Sequence, residues 1–322
     1  MCVFFPMKVQ LFSPAKINVF LSVLGPRPDG FHDLLSIVCP LNFGDSVSVE
    51  LREDSEFDQL ECDHPEVPKD LSNLALRAVD LFRSVHPFPE GVNIQLSKKI
   101  PMGGGMGGGS GNGSAVLWGL NQLMGQPLTK EQLVELAATL GSDCPLFLKG
   151  GAVLMKGRGE IIENLSTIAY KKLCERTVYL LLPGIPISTA WAYGRFREPG
   201  ATAYDSKVDM ESRVFAFIDG GLSLEELLHN NFEPLVYKKY IALAVFKNQL
   251  DKLVPNGALL SGSGSTLFVL APEDSAGDNL EKQLKALGED AFGKDFELVK
   301  ATTAPFESAA FVHMAASGSE GP

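Results

Sequence analysis

The chain has 322 residues, of which 45% are hydrophobic and 21% are charged. This composition provides enough apolar residues for a core and excludes global disorder, and the length fits two domains of roughly 150 residues each or one large domain. Asp and Glu number 39 against 28 Lys and Arg, a net charge of −11, which disfavours a nonspecific nucleic-acid binder because such proteins need a basic surface.

Cysteine and histidine residues are dispersed along the chain, five of each. Because there is no Cys-x-x-Cys pair and no His-Glu-x-x-His motif, we expect no structural zinc site, and the odd cysteine count suggests reduced thiols. The longest uncharged stretch, residues 101–129, contains ten glycines and is therefore a poor membrane helix. The first residues also lack a basic export signal, so we expect a soluble, cytoplasmic protein with no membrane or nucleic-acid partner.

The first half of the chain alternates strand and helix patterns. A period of two predicts a strand over residues 13–24, which places Lys16 and Asn18 on one face. A loop rich in turn formers follows at 25–30, then strands at 36–38 and 45–51 and a charged, irregular stretch at 52–69. Asp70 or Ser72 is expected to begin a helix, and residues 92–96 to form another strand.

A glycine-rich segment at 103–114 then leads into a predicted helix, and a second helix is capped by Thr129 and ended by Gly141. A strand is expected at 152–155. The polar stretch at 160–172 predicts a domain boundary, which divides the chain into residues 1–163 and 164–322. The second half shows a strand at 178–182, helices near 222–228, 237–253 and 279–287, and strands at its end, so the sequence predicts an α+β protein.

The glycine-rich segment has two interpretations, a flexible linker or a phosphate cradle. A linker seldom leads from a strand directly into an amphipathic helix, so the cradle is favoured. No Gly-Lys-[Ser/Thr] follows for a Walker A loop. A dinucleotide fingerprint should follow a continuously apolar strand, whereas residues 92–96 alternate, and no Gly-x-Ser-x-Gly hydrolase motif is present.

Three other features are ambiguous when each is considered alone. Asp143, just before Cys144-Pro145, is more simply a helix cap than a catalytic group. Lys16 is more simply a solvent-facing lysine. The segment Ser261 to Ser265 is either a tight bend or a second backbone approach to a ligand.

Five motifs, in this order and spacing, are far more specific than any one glycine pattern. They cover residues 13–21 (SPAKINVFL), 28–32 (PDGFH), 101–110 (PMGGGMGGGS), 140–145 (LGSDCP) and 260–264 (LSGSG). The set resembles the GHMP kinase superfamily, most of all its members that phosphorylate the 2-hydroxyl of a cytidine-diphosphate-linked methylerythritol in the non-mevalonate isoprenoid pathway. The resemblance implies a two-domain fold, with a ribosomal-protein-S5-like ATP-binding domain, a ferredoxin-like C-terminal domain and the substrate in the cleft between them.

The resemblance also implies roles for individual residues. Asp143 matches the base that takes the proton of the acceptor hydroxyl, and Lys16 matches the lysine that keeps this carboxylate ionised and steadies the transferring phosphoryl group. ATP is the implied cofactor and is accompanied by Mg²⁺. Ser110 or Ser114 is expected to lie near the ion, but no protein residue is assigned as a metal ligand. Asn73 and Leu74 match the adenine side. The phosphate side is matched by Pro101, Met102, Gly103, Gly104, Gly105, Met106, Gly107, Gly108, Gly109, Ser110 and Ser114.

For the acceptor substrate, Phe31 and Tyr193 match an aromatic sandwich around the cytosine ring, His32 would read the base edge, and Asn18 and Thr189 lie near the substrate. Phe31 stands where a Tyr is common in the family. The family also usually reads Ser-Ser-Asn-Ala-Ala where this chain reads SGNGS at 110–114.

Two alternative functions remain open. Another GHMP kinase, for homoserine or mevalonate, is opposed by the Pro-Asp-Gly-Phe-His element at 28–32. A non-catalytic GHMP-like ligand-binding protein is opposed by the presence of both Lys16 and Asp143. The sequence leaves the oligomeric state open.

Overall fold

A long antiparallel hairpin forms the centre of the first of two β-sheets in the computed structural model, which describes residues 7–198, 204–272 and 277–303. Its strands are β1 (Lys8–Pro26) and β2 (His32–Arg52), which pair along nearly their whole lengths. The prediction of two separate strands at 36–38 and 45–51 is wrong. Gly44 lies between the two predicted strands and continues β2, because a Cβ there would lie 2.2 Å from the Ser13 carbonyl oxygen and only glycine allows this approach.

The remaining strands of the first sheet come from both halves of the chain. They are β3 (Gln59–Cys62), β4 (Gly91–Ser97), β5 (Val153–Gly157), β6 (Ile161–Asn164) and β8 (His229–Asn230). The main order is β3-β4-β2-β1-β8, while β5 pairs with β2 and with β6. The stretch predicted as irregular at 52–69 thus contains β3, which pairs in parallel with β4.

Four helices pack against this sheet or beside it: α1 (Leu74–Val85), α2 (Gly108–Leu123), α3 (Lys130–Leu140) and α4 (Cys144–Lys149). Helix α1 begins after Asn73, whose side chain caps the Ala75 N–H, and so begins later than Asp70 or Ser72. Helix α2 begins within the segment predicted as a glycine loop, because the left-handed Gly107 (φ +73°) ends the loop there. The predicted cap Thr129 and terminator Gly141 of α3 are confirmed.

The second sheet has the order β11-β7-β10-β9, formed by β7 (Thr177–Leu182), β9 (Ala258–Leu260), β10 (Leu267–Leu270) and β11 (Glu297–Thr302). The helices of this half are α5 (Thr167–Leu173), α6 (Thr189–Arg195), α7 (Lys207–Ile218), α8 (Leu224–Leu227), α9 (Glu233–Lys239), α10 (Ile241–Leu253) and α11 (Gly277–Phe292), and a 3₁₀ turn follows at Gly293–Asp295. Helices α5, α6 and α7 were missed from the sequence, α5 because it overlaps the polar stretch at 160–172. The helix predicted at 237–253 is two helices, because Tyr240 leaves the helical region between them.

The two sheets share a buried core. One cluster joins Ile17, Phe20 and Ile37 of the hairpin to Leu180 and Phe268 of the second sheet. The α+β prediction is therefore confirmed. The domain boundary between residues 163 and 164 stays a prediction. The two parts of the chain that it would separate bury apolar side chains against each other. Within the described ranges, none of the helices is long and apolar enough to cross a membrane.

Candidate active site

A cavity of about 870 Å³ opens between the hairpin, the glycine-rich segment and α6. With the exception of Ser114, all the residues that the sequence assigned to catalysis, ATP and the acceptor substrate line this cavity. They are Lys16, Asn18, Phe31, His32, Asn73, Leu74, Pro101, Met102, Gly103, Gly104, Gly105, Met106, Gly107, Gly108, Gly109, Ser110, Asp143, Thr189 and Tyr193. Their roles toward a ligand remain predictions.

The carbonyl oxygens of residues 103–106 are turned away from the cavity and bonded to the protein. The Gly103 oxygen accepts from the Ile187 N–H (3.3 Å), and that of Gly104 from the Thr266 N–H (3.3 Å). The Gly105 oxygen accepts from the Ser261 hydroxyl (3.2 Å), and the Met106 oxygen from the Lys16 N–H (3.0 Å). The loop is thus held in place by both halves of the chain, which excludes the flexible-linker interpretation.

The first turn of α2 follows this loop directly. Helix geometry leaves its first N–H groups without intrahelical acceptors, and the cap residue Gly107 offers no side chain to satisfy them. An added Cβ on Gly109 would meet no atom within 4 Å, so the backbone here borders open cavity. Unpaired N–H groups and the positive end of a helix dipole favour an anion at this position.

Ser114 does not reach the cavity, and the expectation that it lies near a metal ion is corrected. Its side chain is fully buried, and its hydroxyl lies 2.9 Å from the Ser110 carbonyl and 2.8 Å from the Cys144 carbonyl. Because the helix begins at Gly108 rather than after residue 114, Ser114 sits on the second turn and faces α4. Of these two serines, Ser110, on the first turn, lines the cavity.

Asn73, which the sequence assigned to the adenine side, uses its side chain for hydrogen bonds within the protein. Its side chain caps the Ala75 N–H (2.9 Å) and donates to the Pro68 carbonyl (2.8 Å). The side chain therefore shapes the rim of the cavity through the start of α1. Leu74, Leu96 and Pro101 supply apolar surface at the same end.

Lys16 and Asp143 meet in the cavity, with the lysine Nζ 3.7 Å from the Asp143 Oδ2. The same Nζ donates to the Asn18 side chain (2.7 Å), and Asn18 donates to the Ser36 hydroxyl (2.9 Å). The lysine side chain is 7% exposed and that of Asp143 is 40% exposed. Asp143 precedes α4 but makes no side-chain cap hydrogen bond, so the capping interpretation is wrong and the carboxylate is directed into the cavity.

His32 lies among aromatic rings at the other end of the cavity. Its ring centroid is 5.3 Å from that of Tyr193, 5.9 Å from Tyr204 and 6.1 Å from Phe196. Burial, and next the positive charge of Arg197, lower the pKa of His32, so the neutral ring is favoured at neutral pH. The buried Nε2 has no hydrogen-bond partner in the described ranges, and a neutral imidazole offers one donor and one acceptor.

Phe31 and Tyr193 both line the cavity, and their sandwich around a cytosine ring stays a prediction. The half-exposed Phe31 ring lies under the Arg158 guanidinium, 5.0 Å from the ring centroid, while Tyr193 contacts His32. Arg197, just beyond α6, donates to the Gly30 carbonyl and so joins the second half of the chain to this loop. Sequence reasoning missed both arginines, since only the folded chain brings them here.

Asp45 and Lys98 form a buried ion pair beside the glycine-rich segment. The Asp45 side chain is fully buried, and its carboxylate also accepts from the N–H groups of Lys99 (2.7 Å) and Ile100 (2.8 Å). Lys98 lines the cavity, and an added Cβ on Gly108 would lie 3.2 Å from its Nζ. The pair therefore fixes the chain immediately before the loop.

Metal-ligating side chains do not cluster in the described part of the chain: no group of three His, Cys, Asp or Glu residues is placed to hold an ion. Asp143, Ser142 and Ser110 have oxygen-bearing side chains and line the cavity at the starts of α4 and α2. That small oxygen set fits a magnesium ion bound largely by substrate phosphates, because Mg²⁺ commonly takes only one or two carboxylates from the protein.

Comparison with known proteins gives consistent results. The family model for the GHMP kinases N terminal domain matches residues 73–151, and that for the GHMP kinases C terminal matches residues 222–290. A 4-diphosphocytidyl-2-C-methyl-D-erythritol kinase of Methylacidiphilum infernorum is 35% identical over 300 residues, covering 91% of this chain and 97% of that protein.

Two solved structures extend the comparison. A crystal structure of 4-(cytidine 5'-diphospho)-2C-methyl-D-erythritol kinase matches with a TM-score of 0.69 and 30% identity, covering 92% of this chain and 99% of the other. A homoserine kinase from Cytophaga hutchinsonii gives a TM-score of 0.71, covering 94% and 97%, but is only 18% identical. That second likeness concerns the fold alone.

Proposed function

The chain belongs to the GHMP kinase family, in the group of the 4-diphosphocytidyl-2-C-methyl-D-erythritol kinases, and from that premise we propose how its cavity works. ATP provides the phosphoryl group, as in the kinases of this family. The acceptor is the 2-hydroxyl of 4-diphosphocytidyl-2-C-methyl-D-erythritol, in the non-mevalonate pathway to isoprenoids. ATP enters on the side of α1 and the glycine-rich segment, and the cytidine enters between β1 and α6.

The observation that carries this assignment is the Lys16–Asp143 pair beside the start of α2. Asp143 accepts the proton of the acceptor hydroxyl, the hydroxyl oxygen forms a bond to the terminal phosphorus of ATP, and the bond to the ADP oxygen breaks. Lys16 and the N–H groups at the start of α2 stabilise the negative charge of the transferring group. Asn18 orients Lys16 through the 2.7 Å hydrogen bond.

Magnesium accompanies ATP in this proposal. Ser110 would contact the ion, whose chemistry is to neutralise charge on the phosphate oxygens. The rest of its coordination comes from phosphates and water, in keeping with the small set of protein oxygen ligands in the cavity.

The cytosine end of the substrate is assigned to His32, Tyr193 and Phe31. A neutral His32, whose buried Nε2 has no hydrogen-bond partner among the described residues, supports directed hydrogen bonding to a base edge, and the Tyr193 and Phe31 rings support stacking. Thr189 lies beside them, with its hydroxyl 3.2 Å from that of Ser263. This end of the cavity favours a cytidine substrate over homoserine or mevalonate, which carry no aromatic base.

The experiment is an assay of ADP release with three acceptors, namely the cytidine diphosphate substrate, L-homoserine and mevalonate. We expect turnover with the first alone. Turnover with homoserine or mevalonate instead would contradict the substrate assignment. Binding of ATP and the cytidine substrate without ADP release would favour a ligand-binding protein over a kinase.

A further inference from the structure

Four lysine and arginine side chains line the cavity in the described ranges, and three of them are already bonded to protein oxygens. Lys16 contacts Asp143 and Asn18, Lys98 contacts Asp45, and Arg197 donates to a loop carbonyl. The fourth, Arg158, makes no ion pair or side-chain hydrogen bond with any described residue. Its guanidinium lies over the face of the Phe31 ring, and its charge joins the Phe31 N–H and Arg27 in lowering the pKa of the Asp29 carboxyl. The N–H edge of the guanidinium donates no hydrogen bond to a described residue, so it is available to a ligand.

The carboxylates around Arg158 are occupied by other donors. Asp29 accepts from the Arg27 guanidinium (3.1 Å) and from the Phe31 N–H (3.1 Å). Glu160 accepts from the backbone N–H of Arg158 itself (2.6 Å), which fixes the turn that carries the arginine. Arg158 is therefore a placed cation that forms no direct ion pair with a carboxylate of the described residues, in a chain whose net charge is −11.

The position of this turn links the two ends of the cavity. On one side the guanidinium lies over Phe31, beside the His32 cluster. On the other side Gly159 contacts Ser142, the residue before Asp143: an added Cβ on Gly159 would lie 3.1 Å from the Ser142 carbonyl oxygen. Arg158 thus stands alongside the path from the base to the reacting hydroxyl.

We propose that Arg158 binds the diphosphate that joins the cytidine to the methylerythritol, and so acts as a specificity-determining residue for a diphosphate-linked substrate. The proposal rests on the proposed function. A guanidinium is planar and donates in parallel to two oxygens of one anion, which suits a diphosphate lying between two fixed ends. Stacking on Phe31 orients the guanidinium before the ligand arrives, so less side-chain freedom is lost on binding.

The test is titration of the purified protein with cytidine, cytidine monophosphate and cytidine diphosphate. Three variants are compared with the unaltered chain: Arg158→Met, Arg158→Lys, and Arg195→Met as the control. Arg195 pairs with Glu198 on the exposed side of α6 and does not line the cavity. A charge-assisted contact corresponds to a loss of about 10- to 100-fold in affinity.

We expect Arg158→Met to lose about that factor for cytidine diphosphate and less than about threefold for cytidine, with partial recovery in Arg158→Lys and no change in Arg195→Met. Equal losses for cytidine and cytidine diphosphate would overturn the proposal, because Arg158 would then only support the Phe31 ring. Unchanged cytidine diphosphate binding in Arg158→Met would overturn it while leaving the proposed function intact. If the unaltered protein bound neither ligand, the proposal and the proposed function would both be overturned.

Discussion

Asp143 stands directly before α4, where a capping residue is expected, yet its carboxylate accepts no hydrogen bond from that helix. It lies instead 3.7 Å from the Lys16 ammonium and is 40% exposed to the cavity. Because the Asp143 carboxylate does not cap α4, its oxygens are free to accept a proton in the cavity.

Asp143→Asn is therefore expected to lower turnover by about 10²- to 10⁴-fold, the usual share of a general base. The affinity for an ATP analogue and the free energy of unfolding should change little, since no cap is lost. The measurement is ADP release combined with titration and denaturant unfolding. The control is Asp219→Asn, which alters an exposed carboxylate at the end of α7. Near-native turnover in Asp143→Asn would rule out the base assignment.

Asp45 is a buried carboxylate that holds the chain just before the glycine-rich segment through its pair with Lys98. Replacement by alanine leaves the Lys98 ammonium, 7% exposed, and two backbone N–H groups without their partner. Breaking such a pair costs about 3–5 kcal/mol, so we expect Asp45→Ala to lower the free energy of unfolding by that amount, measured by urea titration.

The matched control is Asp54→Ala. Asp54 also pairs with a cation, Arg52 at 3.5 Å, but its side chain is 80% exposed. An exposed pair contributes about 0–1 kcal/mol. Similar losses in the two variants would mean that burial of the Asp45–Lys98 pair has no special importance.

At the level of elements, the loop at 103–107 and the start of α2 use their glycines differently. Gly105 has φ +76°, and an added Cβ would lie 2.1 Å from the Ser261 carbonyl oxygen. Gly109 is helical, and an added Cβ there would meet no atom within 4 Å. The first glycine serves the contact between the two halves of the chain, and the second leaves space that opens into the cavity.

Gly105→Ala is expected to lower the free energy of unfolding by about 2 kcal/mol or more, from the left-handed conformation and the clash together. Gly109→Ala should leave stability unchanged or raise it by up to about 1 kcal/mol, because alanine is the better helix former. If phosphates lie against the start of α2, Gly109→Ala should nevertheless weaken binding of an ATP analogue. Unaltered nucleotide affinity in Gly109→Ala would place the phosphates elsewhere.

What the sequence could predict of the site depended on how local each signal is. Strand alternation was enough to place Lys16 and Asn18 on one face, and the structure joins them by a hydrogen bond. The cap at Thr129 and the end of α3 at Gly141 were also predicted correctly, because those signals lie within the helix ends themselves. The end of the glycine loop was misplaced because six glycines in seven residues give no sign of which one is left-handed. Arg158 and the Asp45–Lys98 pair were missed because their partners lie far along the chain.

At the scale of the whole molecule, three buried clusters are found among the described residues, and the cluster between the two sheets joins both halves of the chain. The strand β8 of the second half extends the first sheet beside β1. Phe268, fully buried on β10, belongs to the same cluster as Ile17 and Ile37 of the hairpin. A cavity lined from both sides requires these halves to keep a fixed relation, and the shared core provides it.

We therefore expect the chain to unfold as one cooperative unit. Trp118 on α2 and Trp191 on α6, the two tryptophans of the sequence, report on one half each. Trp191→Phe leaves only the first reporter and Trp118→Phe only the second, so fluorescence during urea titration gives a separate transition for each half. Coincident midpoints are the expected result for a two-state unit.

The decisive variant is Phe268→Ala, introduced into both single-tryptophan backgrounds. Loss of a fully buried phenylalanine costs about 3–5 kcal/mol, and because the core is shared, both reporters should shift to lower urea by the same amount. Val208→Ala, which shortens a side chain 72% exposed on α7, is the control and should shift neither reporter. A shift confined to Trp191 would show that the second half unfolds on its own, and the cavity would then lie between two independent domains.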